Sequence, residues 1–124
     1  MTVPRFRAWD TFHKKWVKHF YITENGLIYD MGRQHRNLIG AVPIEKSGLI
    51  VMQSTGLFDS SLEPVEIYKD DIVAKSLPNG AVLVGVVTFT KGMFLVDGVE
   101  AIDQSWVVIG NIHEHPHLLE GLND

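Results

Sequence analysis

Three of the chain's six histidines fall in one short stretch, "HEHPH", at His113, His115 and His117. On an extended strand, residues i, i+2 and i+4 point to one face, so three imidazoles at this spacing would converge as metal ligands do. Pro116 opposes that reading, because proline supplies no ladder N–H and stands where strand pairing ends. Glu114 would point away from such a triad, and the chain has no cysteine to complete it. The stretch reads instead as a strand end followed by a proline-marked turn, with no metal and no other cofactor expected.

Catalytic arrangements are equally thin. None of the serines at 47, 54, 60, 61, 76 and 105 stands in a G-x-S-x-G context. Asp70 and Asp71 are adjacent, so on a strand they face opposite sides, and one of them suits a turn or strand entry better than an acid pair. The glycines are spread out and form no phosphate-binding loop. No catalytic residue is nominated, and a non-enzymatic protein is expected.

One constellation does suggest binding. Arg5, Arg7, Trp9, Lys14, Lys15, Trp16 and Lys18 interleave cations with indoles, the composition of a surface that tracks phosphates and stacks bases. The competing reading is structural: Trp9 and Trp16 are half-buried hairpin residues, and the cations are their solvated neighbours. Charge polarity leaves both open. Residues 1–46 carry eight basic against four acidic side chains, and the remainder three against eleven, a balance of +4 and −8. Such a distribution suits nucleic acid on the basic part, head-to-tail contact between copies, or merely solvated charge.

The elements that would position these groups are strands. At 124 residues the chain has the length of a single domain with an adequate core. Turn signals recur every eight to twelve residues through much of it, which suggests an all-β barrel or sandwich. "RFRAWD" alternates as a half-exposed strand would. "WVKHFYI" and "LIYDM" flank Asn25-Gly26, the signature of a type I′ hairpin. "RQHRNLIGAVPIEKSG" reads as loop with a short extended piece. "LIVMQSTG" is a strand, and "LFDSSLEP" a turn-rich connection.

"AVLVGVVTFT" is apolar on both faces and is expected to be covered on both sides along much of its length. Lys91-Gly92 and Asp97-Gly98 then fold "MFLV" and "VEAI" into a meander, and "SWVVIGNI" closes it. Closure into a small barrel would remove the exposed edges. "HPHLLEG" is the single short helix expected, with Pro116 suited to its first position and Gly121 to its end.

Absence of cysteine fits a reducing cytoplasm. The N-terminus lacks a signal-like apolar core, and no apolar run approaches the ~20 residues of a membrane helix. A soluble cytoplasmic protein is expected, without membrane contact.

Three segments together resemble the YopX family of phage- and prophage-encoded proteins. "RFRAWDTFHKKW" is similar to that family's F-R-A-W-D opening. "VMQSTGLFDSSLEPVEIYKDDIVAK" is similar to M-Q-x-T-G-L-x-D, a spacer, then I-Y-x-G-D-I-V. "VVIGNIHEHPHLLEG" is similar to V-I-G-N-I-x-E-N-P-x-L-L. Asp70 stands where the pattern has glycine, His115 where it has asparagine, and His113 where an aromatic is usual. The resemblance implies a mainly β fold over residues 1–124, with an N-terminal β-hairpin or meander extension (1–46) and an SH3-like barrel in 47–124. It implies no chemistry. The expectation is a phage-related interaction protein assembling with itself as a homo-oligomer, or else a nucleic-acid-binding module using the basic N-terminal strands.

Overall fold

A computed structural model describes residues 4–30 and 41–120. The described residues form an all-β fold of twelve strands and one short helix. The chain divides into two compact units: Phe6–Met52, and Gln53–Asp124 together with Met1–Arg5. No helix among the described residues is long and apolar enough to cross a membrane.

In the N-terminal unit, β1 (Phe6–Asp10) pairs antiparallel with β2 (Lys15–Val17), placing Trp9 opposite Trp16. On its other side β1 is flanked by the start of β6 (Leu49–Phe58). A second sheet has the order β3 (Phe20–Ile22), β4 (Leu27–Asp30), β5 (Val42–Pro43), and a 3-10 turn at Ile44–Lys46 follows it. Ala8, Trp9, Ile28, Leu49 and Met52 are its buried apolar residues.

Two expectations are corrected here. "WVKHFYI" is not one strand: it breaks at Lys18-His19, so β2 folds back on β1 while β3 pairs with β4. β1 is not half-exposed either, since Ala8, Trp9 and Asp10 are all buried in succession. Its partners on both edges leave little surface open to water. Of "RQHRNLIGAVPIEKSG", residues 33–40 lie outside the described residues, as do Met31 and Gly121.

The Asn25-Gly26 hairpin forms, but not as a type I′ turn. Only Gly26 has positive φ (+84°). Gly26 N donates to Thr23 O and Thr23 N to Leu27 O, closing a three-residue loop of type I turn plus glycine bulge. The Thr23 hydroxyl selects it, donating to Asn25 Oδ1 at 2.6 Å while accepting from Leu27 N at 3.0 Å.

In the C-terminal unit, the end of β6 pairs with β7 (Glu66–Tyr68). The strand runs on to Phe58, two residues into the segment expected to be irregular. The main sheet has the order β11-β10-β9-β8-β12, from β8 (Asp71–Ser76), β9 (Val82–Thr90), β10 (Met93–Val96), β11 (Glu100–Ala101) and β12 (Val107–Asn111). All neighbours are antiparallel.

Lys91-Gly92 and Asp97-Gly98 are the expected turns, each with positive φ at both residues, as a type I′ turn demands. The closing strand behaves differently. β12 does not extend the meander at β11; it crosses to pair with β8. Coverage of β9 on both sides holds only in its middle, around Gly85 and Val87. Its ends are open, with Val82, Leu83 and Phe89 between 41% and 58% exposed. The core is Ile67, Val73, Val87, Val96 and Trp106, with Leu57, Phe94, Ile102 and Val108 against it. The helix α1 spans His117–Glu120, directly after Pro116.

Candidate functional site

The cation and indole residues of the N-terminal strands do not form one open surface. Trp9 is 5% exposed and meets Trp16 edge-on, ring centroids 4.9 Å apart. The Arg7 guanidinium lies 4.6 Å above the half-buried Trp16 ring. This is a cross-strand aromatic pair capped by a cation, which accounts for all three residues as packing. Trp9 therefore has no face available for stacking a base. Arg5 belongs to the other unit, where it faces Glu66 at 3.6 Å. Lys14, Lys15 and Lys18 remain as exposed cations.

Phe6, Phe12 and Tyr21 are the exposed aromatics described in the same unit, and Phe58 and Phe89 are exposed in the C-terminal unit. A groove of about 460 Å³ is lined by Phe6 and by Lys18, His19, Phe20, Tyr21 and Ile22, along β3. Tyr21 is half-exposed and stacks on Tyr29, centroids 5.3 Å apart and planes 13° from parallel. Phe12, at the β1–β2 turn, is 82% exposed. Sequence reasoning passed over Tyr21 and Phe6 as ordinary strand residues. Among the described residues β3 stands at the rim of its sheet, which depends on the break after β2.

The histidines part company. His113 Nε2 lies 2.9 Å from Asp70 Oδ2, with both side chains largely buried. His115 Nδ1 accepts from Asn111 N at 3.2 Å, and its ring meets that of His117 edge-on at 6.1 Å. Read literally, His113-Glu114-His115-Pro116-His117 also fits the H-E-x-x-H spacing of a helical zinc pair. Here residues 112–114 form a turn and the helix starts only at His117, so the two rings share no helical face. No group of three or more His, Cys, Asp or Glu suited to a metal occurs among the described residues.

The carboxylates that recur in sequence motifs hold turns. Asp10 accepts from Phe12 N (2.9 Å), His13 N (3.1 Å) and the His13 ring (2.8 Å). Burial pushes its carboxyl up, but those hydrogen bonds outweigh it and hold the group below its ordinary value. Asp59 does the same over a longer span. It takes Ser61 N, Ser61 Oγ and Val65 N on Oδ1, and Val108 N of β12 on Oδ2. Burial again acts upward, and the four donors bring its carboxyl below the usual range.

Asn111 closes the third motif, accepting from His113 N and Glu114 N while its amide donates to Glu114 Oε1. That arrangement is an Asx turn, with the Asn111 amide bound back to Glu114. These groups organise backbone.

The family model described as "YopX protein" matches residues 5–120. Among solved structures, the chain is similar to protein EF1440 from Enterococcus faecalis, with a TM-score of 0.67 and 25% identity, covering 96% of this chain and 99% of that one. It is also similar in fold to protein yopX from Bacillus subtilis, with a TM-score of 0.59 and 21% identity over 92% of this chain and 96% of that one. No curated protein matches the chain. On the match over residues 5–120, this chain belongs to the YopX family.

Proposed function

We propose that this protein is a non-enzymatic, phage- or prophage-related interaction protein that assembles with itself. The observation that carries the reading is the fate of the reactive side chains. Asp10, Asp59 and Asn111 are saturated with backbone donors. His113 is held by Asp70. Lys14, Lys15 and Lys18 meanwhile stand exposed in a basic N-terminal segment opposed by an acidic remainder, +4 against −8. Opposite charge on the two parts of one chain favours contact between copies. Light scattering across a salt series tests it. An oligomer that loosens as salt rises, and on changing Lys14, Lys15 and Lys18 together to Glu, is expected. A monomer at every salt concentration overturns the reading.

A second reading, nucleic-acid binding, rests on the exposed Tyr21 beside Lys18 and His19 in the β3 groove. It replaces Trp9 with Tyr21 as the stacking group. Affinity for a single-stranded oligonucleotide should fall steeply with salt and weaken in Tyr21→Ala. No binding at low salt ends it.

A further inference from the structure

The five-stranded sheet keeps all its charges on one side. In each strand, side chains that alternate with the core residues Val73, Val87, Val96 and Val108 point away from that core. Every such position is aliphatic, serine, threonine or glycine. Asp71, Lys75 and Glu100, the charged residues of these strands, all fall on the core side.

Among the outward residues Ile72 alone is buried. It pairs with Gly110, where α1 comes down: a Cβ on Gly110 would lie 2.9 Å from Leu118 Cδ1. The remainder of the face is open in whole or in part. Val82 is 58% and Met93 53% exposed, and Val84, Val86 and Leu95 are half-buried. A solvated face of an antiparallel sheet ordinarily carries polar side chains. This one does not.

We propose that the outward face of this sheet docks on the same face of a second copy, two sheets packing about a two-fold axis. The proposal rests on the self-association reading in naming a second copy, and it sets the contact on apolar surface instead of on opposite charge.

Two observations select that occupant. In a two-fold contact a charge near the axis meets its own like, and a face without charge escapes that repulsion. A partner recognised by its charge, such as nucleic acid, would find nothing here to pair with. Area is the second. At ~3.4 Å per residue and ~4.8 Å between strands, the face has a plan area of roughly 400 Å². Two such faces give about 800 Å² before side-chain relief is counted, the low end of specific interfaces. The expected dimer is therefore weak and depends on protein concentration.

Sedimentation of the full chain up to several hundred micromolar tests it. Val82→Lys combined with Met93→Lys should raise the dimer dissociation constant about tenfold or more, because the lysines would be desolvated without partners. Both positions are more than half exposed, so the monomer should keep its urea midpoint. Leu83→Lys, on the same strand but the opposite side, should leave the dimer intact. Sodium sulfate should tighten the contact, since excluded salts strengthen apolar burial.

Unchanged association in the double lysine variant overturns the proposal. If that oligomer still loosens with salt and on changing Lys14, Lys15 and Lys18 to Glu, the charge contact stands without this face. If association ignores those charges but is lost in the double lysine variant, the face stands and the charge contact falls. A monomer at every concentration removes both. A monomer that binds phosphatidylcholine vesicles through Val82 and Met93 gives the face to lipid and overturns the proposal equally.

Discussion

His113 Nε2 stands 2.9 Å from Asp70 Oδ2, a contact spanning 43 positions of sequence between the β7–β8 turn and the turn after β12. Both residues depart from the pattern the chain resembles, which has glycine at the first position and usually an aromatic at the second. Their side chains meet each other. Asp70 adopts φ +73°, a conformation that glycine takes freely and other residues take at a cost. In exchange its carboxylate reaches His113, and Lys69 Nζ at 3.1 Å, while its backbone bonds Val87 O and Ile112 N.

Asp70→Gly should relieve the backbone but remove the contact to the imidazole; His113→Phe should remove the same contact and leave the carboxylate with Lys69 alone of the two side chains. The double variant removes both groups together. A double-mutant cycle in urea unfolding should give a coupling of roughly 0.5–3 kcal/mol, each single change being worse than the sum of parts implies. Strict additivity would show that the two positions drifted independently.

Asp59 joins the β6–β7 loop to β12 through four donors. Asp59→Ala leaves the part-buried N–H groups of Val65 and Val108 without their acceptor. A loss of roughly 3 kcal/mol follows, with β12 exchanging its amide protons first. Asp59→Asn keeps one acceptor oxygen and should cost less.

The pH dependence follows from the depressed carboxyl. With its folded value below the ordinary 3.8, the group adds stability that is fully present above that pH and lost as pH falls through the folded value. The gap between wild type and Asp59→Asn in urea midpoints should therefore be widest near neutrality and narrow below about pH 4. A gap constant with pH would mean that the carboxylate charge is irrelevant.

How much of this was legible in the residues depends on range. Lys91-Gly92 and Asp97-Gly98 announced their turns, because positive φ is a local demand met by local chemistry. Asn25-Gly26 announced a hairpin but not its type, which the neighbouring Thr23 hydroxyl decided. β12 was readable as a strand, yet its partner was not: β8 and β11 offer similar edges, and the choice is made by packing Val108 onto the Trp106 core and by Asp59 receiving its N–H. Trp9 and Trp16 could be read as a stacking platform or as a hairpin pair until their register was known. The β3 rim was hidden for the same reason, since it exists only because the chain breaks at Lys18-His19.

Two glycines should respond to the same substitution for different reasons. Gly26 has φ +84°, and a Cβ there would meet nothing within 4 Å. Gly26→Ala should cost about 1 kcal/mol, purely conformational. Gly85 has ordinary φ, but its Cβ would come 2.5 Å from Val96 Cγ1 and 2.8 Å from Asp97 Oδ2. Since Asp97 Oδ1 accepts from Val86 N at 2.9 Å, Gly85→Ala must displace both the core and that turn. Thermal unfolding should show the larger loss at Gly85, by 1 kcal/mol or more on an overpacking scale of roughly 1–3. Gly26→Asn, by contrast, should recover part of the Gly26→Ala loss, because asparagine tolerates the left-handed region. Equal costs at the two positions would contradict the assignment of one to sterics and the other to φ.

Arg7 separates the structural from the ligand-binding account of the N-terminal cations. Its guanidinium stacks 4.6 Å from the Trp16 ring, a planar contact that an ammonium reproduces poorly. Arg7→Lys keeps the charge and loses the stack. If the residue serves packing, the substitution should lower stability by roughly 0.5–1 kcal/mol and alter the near-ultraviolet signal of the Trp9–Trp16 pair. Neither salt-dependent self-association nor any oligonucleotide affinity should then change at temperatures well below unfolding. If the residue instead contacts phosphate, lysine should substitute with little loss of stability, while Arg7→Gln should weaken binding and reduce its salt slope by about one. Stability and salt slope thus move in opposite pairs under the two accounts. Trp9 is 5% exposed and Arg7 closes over Trp16, so the first pair of outcomes is expected.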